Sequence, residues 1–179
     1  MIFNLKNESM KQMTKFLATA IVFFAFSVVT FAQASATSNA SATIVGPIGI
    51  SNTTPMNFGN IAVSAALGTV AMDPAGARTP SGGCTLPVVT GGPTAAVFNV
   101  TGAANYTYAI TLPAVATNIT GPGPAMAVDT WTSTPSGTGT LSAAGAETLT
   151  VGATLNVAGS QTAGNYTSVT PFTVTVNYN

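Results

Sequence analysis

The clearest hydrophobic pattern lies at the end of the chain. Phe172, Val174, Val176 and Tyr178 share one parity, and Thr173, Thr175, Asn177 and Asn179 share the other. That is the period of a strand with one face on a core. A one-residue slip would turn all four apolar side chains to water, so a covered face and a fixed register are expected. From Glu147 onward, Leu149, Val151, Ala153, Leu155 and Val157 form a second long alternation, and Tyr106, Tyr108, Ile110 and Leu112 form a third, closed by Pro113. The stretch from Ala95 to Val100 precedes the third across Thr101 to Asn105, and the two read as a hairpin with a longer loop.

Shorter patterns fill the rest. Ala40, Ala42, Ile44, Ile48 and Ile50 share a parity, with Gly46 as the gap and Pro47 on the other face, which predicts a strand at a sheet edge. Met56 to Val63 reads as a strand with a bulge at Gly59. Gly68 to Met72 reads as a short strand ended by the turn Asp73-Pro74-Ala75-Gly76. Arg78 to Gly83 reads as loop, Cys84 to Val89 as a weak strand, and Ala125 to Thr132 as the strand carrying Trp131. Beyond the N-terminal region no window has a helical period, and Gly and Pro fall at the spacing of short strands. The expectation is all-β: a single-domain, immunoglobulin-like antiparallel β-sandwich of roughly eight to ten strands, with a closed barrel as the alternative.

The N-terminal region has a different character. Lys6, Lys11 and Lys15 precede an uncharged run from Phe16 to Phe31, and Ala32-Gln33-Ala34 offers a small-residue cleavage site. Residues 1–34 read as a secretory signal peptide, with Met10 or Met13 as alternative starts, followed by a flexible segment 35–41 and a sandwich domain 42–179. The apolar run is shorter than the ~20 residues of a spanning helix, so no membrane span is expected in the processed chain. Export through the periplasm to the outer cell surface or beyond is the expected location.

Charge narrows the partners. Without residues 1–34, Arg78 stands against Asp73, Asp129 and Glu147, one positive against three negative for a net charge of −2. Nothing there neutralises phosphates, which excludes nucleic acid as a partner, and weak repulsion between copies favours self-association. Cys84 is the only cysteine, so it is either a small buried side chain or half of an intermolecular disulfide.

The chemistry is sparse. There is no histidine, and every lysine lies in the expected signal peptide. The usual general base, the usual triads and the commonest zinc ligand are therefore missing. Asp129 and Glu147 are the acids left for glycosidase chemistry, each better read as a strand-end or loop carboxylate. A non-enzymatic protein with no cofactor and no metal is expected. Trp131 and Tyr106 are the aromatics that would build a sugar-stacking face, against the commoner fate of packing in a core.

Several separated motifs occur in a familiar order. They are Ala42-Thr43-Ile44-Val45, Met56-Asn57-Phe58-Gly59, Gly68-Thr69-Val70, Phe98-Asn99-Val100-Thr101-Gly102, Tyr108-Ala109-Ile110-Thr111-Leu112-Pro113 and Gly164-Asn165-Tyr166-Thr167, then the closing strand from Phe172 to Tyr178. Together, over about Ala40 to Asn179, they resemble a domain-of-unknown-function family, number 4402, of secreted Gram-negative surface proteins. More distantly, Asn57-Phe58-Gly59 and the closing strand look like spore-coat-protein-U and archaic chaperone-usher pilin domains. In those domains an incomplete immunoglobulin-like sandwich accepts an N-terminal strand from a neighbouring subunit. The pilin disulfide has no counterpart here, since Cys84 stands alone.

That resemblance implies a fimbrial, pilin-like or adhesive structural subunit that meets related surface subunits and a periplasmic chaperone. Ala42, Ile44, Gly46, Ile48 and Ile50 are then the candidate donor strand, and Phe172, Val174, Val176 and Tyr178 the candidate C-terminal assembly strand. The other reading of the first strand is pairing within its own sheet. The other reading of the whole is a carbohydrate-binding module that meets a polysaccharide through Trp131 and Tyr106.

Overall fold

The computed structural model describes residues 10–15 and 33–179. Most of the expected signal peptide therefore lies outside the described residues; within it, residues 10–15 are helical. Among the described residues no helix is long and apolar enough to cross a membrane. The chain divides into two compact units, Met1–Ala42 and Thr43–Asn179. In the first, residues 33–42 are exposed and belong to no helix or strand.

The second unit is built of β1 (Gly49–Thr54), β2 (Ala62–Met72), β3 (Arg78–Thr85), β4 (Ala96–Thr101), β5 (Thr107–Thr111), β6 (Thr117–Thr120), β7 (Met126–Thr134), β8 (Thr138–Thr140), β9 (Ala146–Val157), β10 (Thr167–Ser168) and β11 (Thr175–Tyr178). The larger sheet runs β1-β4-β9-β7-β6-β10, with β2 also beside β9 and β3 outside β2; the smaller runs β11-β5-β8. All pairings are antiparallel. The architecture is an antiparallel β-sandwich, and the open edges of the smaller sheet set aside the closed barrel.

β9 is the spine. Its alternating Leu149, Val151, Ala153, Leu155 and Val157 are all buried, as the sequence parity predicts. It is long enough to take two partners along one edge, β4 against Ala146 to Val151 and β2 against Ala153 to Val157. The change of partner falls at Gly152, where an added Cβ would lie 2.3 Å from the Met72 carbonyl oxygen. Only a residue without a side chain lets the end of β2 approach so closely.

Two cores result. The first joins Ala96, Val100, Tyr108, Leu141, Leu149, Val151, Val174 and Val176, so the smaller sheet closes over β4 and the first half of β9. The second joins Val70, Cys84, Met126, Val128, Ala153, Leu155 and Val157, all from the larger sheet, and no strand of the smaller sheet contributes to it. It is covered instead by side chains from non-strand segments, Met56, Phe58, Ile61 and Tyr166 among them. Half of the sandwich thus has two sheet layers and half has one.

The structure corrects several expectations. The stretches around β4 and β5 are not a hairpin: β4 pairs with β1 and β9, and β5 with β8 and β11. Both bury an apolar face in the first core from opposite layers, and alternation reports the buried face but not the partner. Arg78 to Gly83 is strand rather than loop; with Thr79 to Gly82 exposed on the outside of β2, it had no apolar alternation to betray it. Residues 55–61 make one isolated bridge, Asn57 to Thr94, and the strand begins at Ala62. Leu86 to Val89 leaves the sheet after Thr85.

Candidate functional site

Two of the sequence motifs build the walls of one groove. In the first wall, Asn57 forms an Asx turn, its Oδ1 accepting from the Gly59 amide at 2.8 Å while Gly59 takes φ 65°. Asn57 and Thr94 exchange two backbone bonds of 2.8 Å, and Asn60 donates from its side chain to the Val89 carbonyl at 3.1 Å. Arg78, the one arginine, donates to the carbonyls of Phe58 and Asn60. The Asn57-Phe58-Gly59 motif is therefore a clamp that holds non-strand backbone beside the sheet.

In the second wall, Tyr166 of the Gly164-Asn165-Tyr166-Thr167 motif is the clamp. Its hydroxyl donates to the Thr162 carbonyl at 2.8 Å and accepts from the Gly123 amide at 2.9 Å. Gln161 donates through Nε2 to the Pro124 carbonyl. These bonds fix the loop from Gln161 to Tyr166 against the turn that follows β6.

Between the walls lies a groove of about 980 Å³, floored by Ile119, Met126, Val128, Trp131, Leu155 and Val157. The groove sits where the second sheet layer is missing. Trp131 reaches it because β7 carries a bulge: Asp129 pairs with Thr154 and Thr132 with Gly152, three steps against two, with Thr130 at φ 51°. The extra residue restores an inward direction to an odd-numbered position. The Trp131 ring lies 4.5 Å from that of Phe172.

Two polar atoms on residues lining this groove are buried without a partner among the described residues, the indole Nε1 of Trp131 and the amide Oε1 of Gln161. Buried polar atoms are nearly always paired, so both are exceptions.

The candidate donor strand is divided. Ile48 and Ile50 pack on the chain's own first core, and β1 pairs with β4. Ala42 and Gly46 are exposed, and Ile44 is 91% exposed, an aliphatic side chain standing in water. The Gly46 carbonyl accepts from the Tyr178 hydroxyl at 3.2 Å, which anchors the base of this arm.

Phe172, Val174, Val176 and Tyr178 all face the first core, although the strand itself begins at Thr175. β11 pairs with β5 on one side and is an edge of its sheet on the other. Tyr106 and Trp131 are not brought together. Tyr106 packs on Tyr178, with ring centroids 5.6 Å apart, and does not line the groove.

The two acids are separated as well. Asp129 lies beside Thr154, seven residues along β9 from Glu147, which at a strand's rise is about 23 Å. A glycosidase pair needs about 5–10 Å. Asp129 accepts from Asn156 Nδ2 and Thr130 Oγ1; Glu147 accepts from the Tyr108 hydroxyl and the Thr140 amide. Among the described residues no group of three or more His, Cys, Asp or Glu side chains could hold a metal ion.

Cys84 is buried in the second core, and burial pushes its thiol above the usual cysteine range. A thiol so placed is a poor nucleophile and a poor partner for an intermolecular disulfide. In the native chain it should resist an aromatic disulfide reagent for as long as the fold holds and react fully once denatured. Rapid native labelling would show that β3 opens.

Residues 48–178 match the model of a family described as a domain of unknown function, DUF4402. No curated protein matches the chain, and no solved structure matches it.

Proposed function

We propose, for a chain that belongs to the DUF4402 family, that it is a secreted, non-enzymatic structural subunit of the cell surface, pilin-like in that copies join by β-strand addition. The observation that carries this reading is the groove over the second core, where the sandwich lacks its second sheet layer. Strand addition needs an unpaired strand edge beside pockets for alternate side chains, and Thr167 and Ser168 of β10, an edge of the larger sheet, line this groove. The exposed arm around Ala42 and Ile44 has that pattern and carries no charge.

Distance along the sheet argues that the chain's own Ile44 does not seat in its own groove. β1 leaves the sandwich at Gly49, which pairs with Thr101, itself paired with Ala146 at the start of β9. The nearest floor residue, Trp131, lies beside Gly152, about 20 Å along β9, and Val157 lies about 37 Å along. Five residues at full stretch carry Ile44 about 17 Å from Gly49. The chain's own Ile44 falls short of the groove, whereas another copy's is free to enter.

The test is Ile44→Asp in the full chain. Light scattering after size exclusion should find large or laddered species for the unsubstituted protein, indifferent to reductant, and monomer for the variant with an unchanged melting temperature. An unsubstituted chain that stays monomeric at high concentration overturns the reading, and so does a variant that polymerises as before.

A further inference from the structure

Resting on that reading of assembly, we infer that Tyr178 is a positioning residue for the arm: its hydroxyl latches Gly46 to the end of the closing strand and fixes the direction in which the arm leaves the sandwich. Three segments meet at this oxygen. It accepts from the Ala103 amide at 2.6 Å and donates to the Gly46 carbonyl at 3.2 Å. A phenol has one proton to give, and the carbonyl of the arm receives it. The ring is held as well, packed against the first core and edge-on to Tyr106.

The place of the latch along the arm gives it this role. Residues 33–47 are exposed, and β1 begins only at Gly49, so no strand pairing holds the stretch before it. Ile48 packs on the first core, and the ring of Pro47 locks its own φ. Gly46 is then the first free joint. It has no side chain, and a Cβ built there would meet nothing within 4 Å. Glycine has the widest backbone freedom of any residue, so the bond to Tyr178 restrains the arm where it would otherwise swivel. An arm already held in one direction loses less freedom when it docks.

Gly102 makes the latch possible. β4 ends at Thr101, and the Gly102 amide donates to the Gly145 carbonyl at 2.9 Å. A Cβ added at Gly102 would lie 2.3 Å from the Tyr178 hydroxyl oxygen. Only bare backbone admits the hydroxyl to the Ala103 amide. The glycine that closes the Phe98-to-Gly102 motif and the tyrosine of the last strand are two halves of one device.

The experiment uses the full chain. Thr43→Cys and Thr148→Cys, both at exposed positions, carry nitroxide labels in an Ile44→Asp background that stays monomeric; Cys84 is buried and does not compete for label. Pulsed dipolar spectroscopy should give a narrow distance distribution for this parent and a broader one with Tyr178→Phe, which keeps the ring and loses the hydroxyl. Gly102→Ala, which displaces the hydroxyl without altering Tyr178 or the arm, should broaden it likewise. With Ile44, Thr43 and Thr148 intact, light scattering should show either substitution lengthening the half-time of assembly about two- to tenfold, the worth of one hydrogen bond. Ile110→Val, a loss of comparable stability in the first core, is the control for a merely structural role. It should leave both the distribution and the half-time unchanged.

A distribution already broad in the parent, or unchanged by both substitutions, overturns the inference and leaves strand addition standing. A broadened distribution with an unchanged half-time overturns it too, and so does Ile110→Val slowing assembly as much as Tyr178→Phe. An unsubstituted chain that forms no polymer overturns both readings.

Discussion

Tyr108→Ala is expected to lower the unfolding free energy by about 3–5 kcal/mol, the range for emptying a large aromatic site in a core. For a domain of this size that is a fall in melting temperature of roughly 10–20 °C. Among the described residues Tyr108 is the largest fully buried side chain, and it stands where β5 of the smaller sheet meets β4 and β9 of the larger. Its hydroxyl donates to Glu147 Oε2 at 2.8 Å, and the Thr140 amide donates to the same oxygen. One ring therefore fills the first core, and its hydroxyl ties the two layers together through a carboxylate. Differential scanning calorimetry checks the size of the loss; a fall under about 3 °C would mean the first core collapses around the gap.

The same residue carries a pH dependence. Burial, then the hydrogen bond to Glu147, then the charge of Glu147 hold the Tyr108 hydroxyl well above the ordinary tyrosine range. The group is neutral in both states below the ordinary value of about 10, so its contribution is fully present there. Above that pH the unfolded chain loses this proton while the folded chain keeps it, so stability falls as pH rises. Urea midpoints measured from pH 9 to about 11.5 should drop more steeply for the unsubstituted chain than for Tyr108→Phe. Equal slopes would show that the hydroxyl reaches solvent in the native state.

Gly152→Val is the other large effect expected, about 3 kcal/mol or more, above the usual cost of overpacking because the clash is with backbone. Its Cβ would lie within 2.9 Å of three atoms of Met72 and Asp73, all main chain. No rotamer relieves that contact. β2 must move off β9, and with it β3, which has no other strand partner. Amide exchange should show the loss first at Val70 and Met72, with β4 retaining protection longer. Uniform loss across both cores would mean that the two halves of β9 unfold as one unit. A melting temperature within about 2 °C of the original would mean the junction has room that its geometry does not show.

How much of this was legible beforehand differs by element. The closing strand and β9 were readable because one of their faces is buried and the parity of Val174, Val176, Leu149 and Leu155 records it. Trp131 was visible as an aromatic in a strand, but its direction was not. The bulge at Thr130 shifts the parity, and nothing in Asp129-Thr130-Trp131 announces an extra residue. Most of β3 was hidden because Thr79 to Gly82 are exposed and need no apolar residues. The groove was hidden for a related reason: it is an absence, a layer that the smaller sheet does not extend to cover, and periodicity describes only what is present. The two motifs that wall it were noticed as a likeness; their work as clamps appears only when Asn57 and Tyr166 are seen holding loops by main-chain bonds.

The base of the arm and the groove occupy different regions along β9, and that separation bears on symmetry. Two copies that exchange arms reciprocally about a two-fold axis close into a dimer, whereas a one-way contact, in which the arm of one copy enters the groove of the next, joins two unlike patches and is heterologous. Each added copy again presents one free arm and one free groove. Growth then continues in one dimension with a defined polarity, limited by a ring closure or by a terminating partner that supplies only one of the two halves.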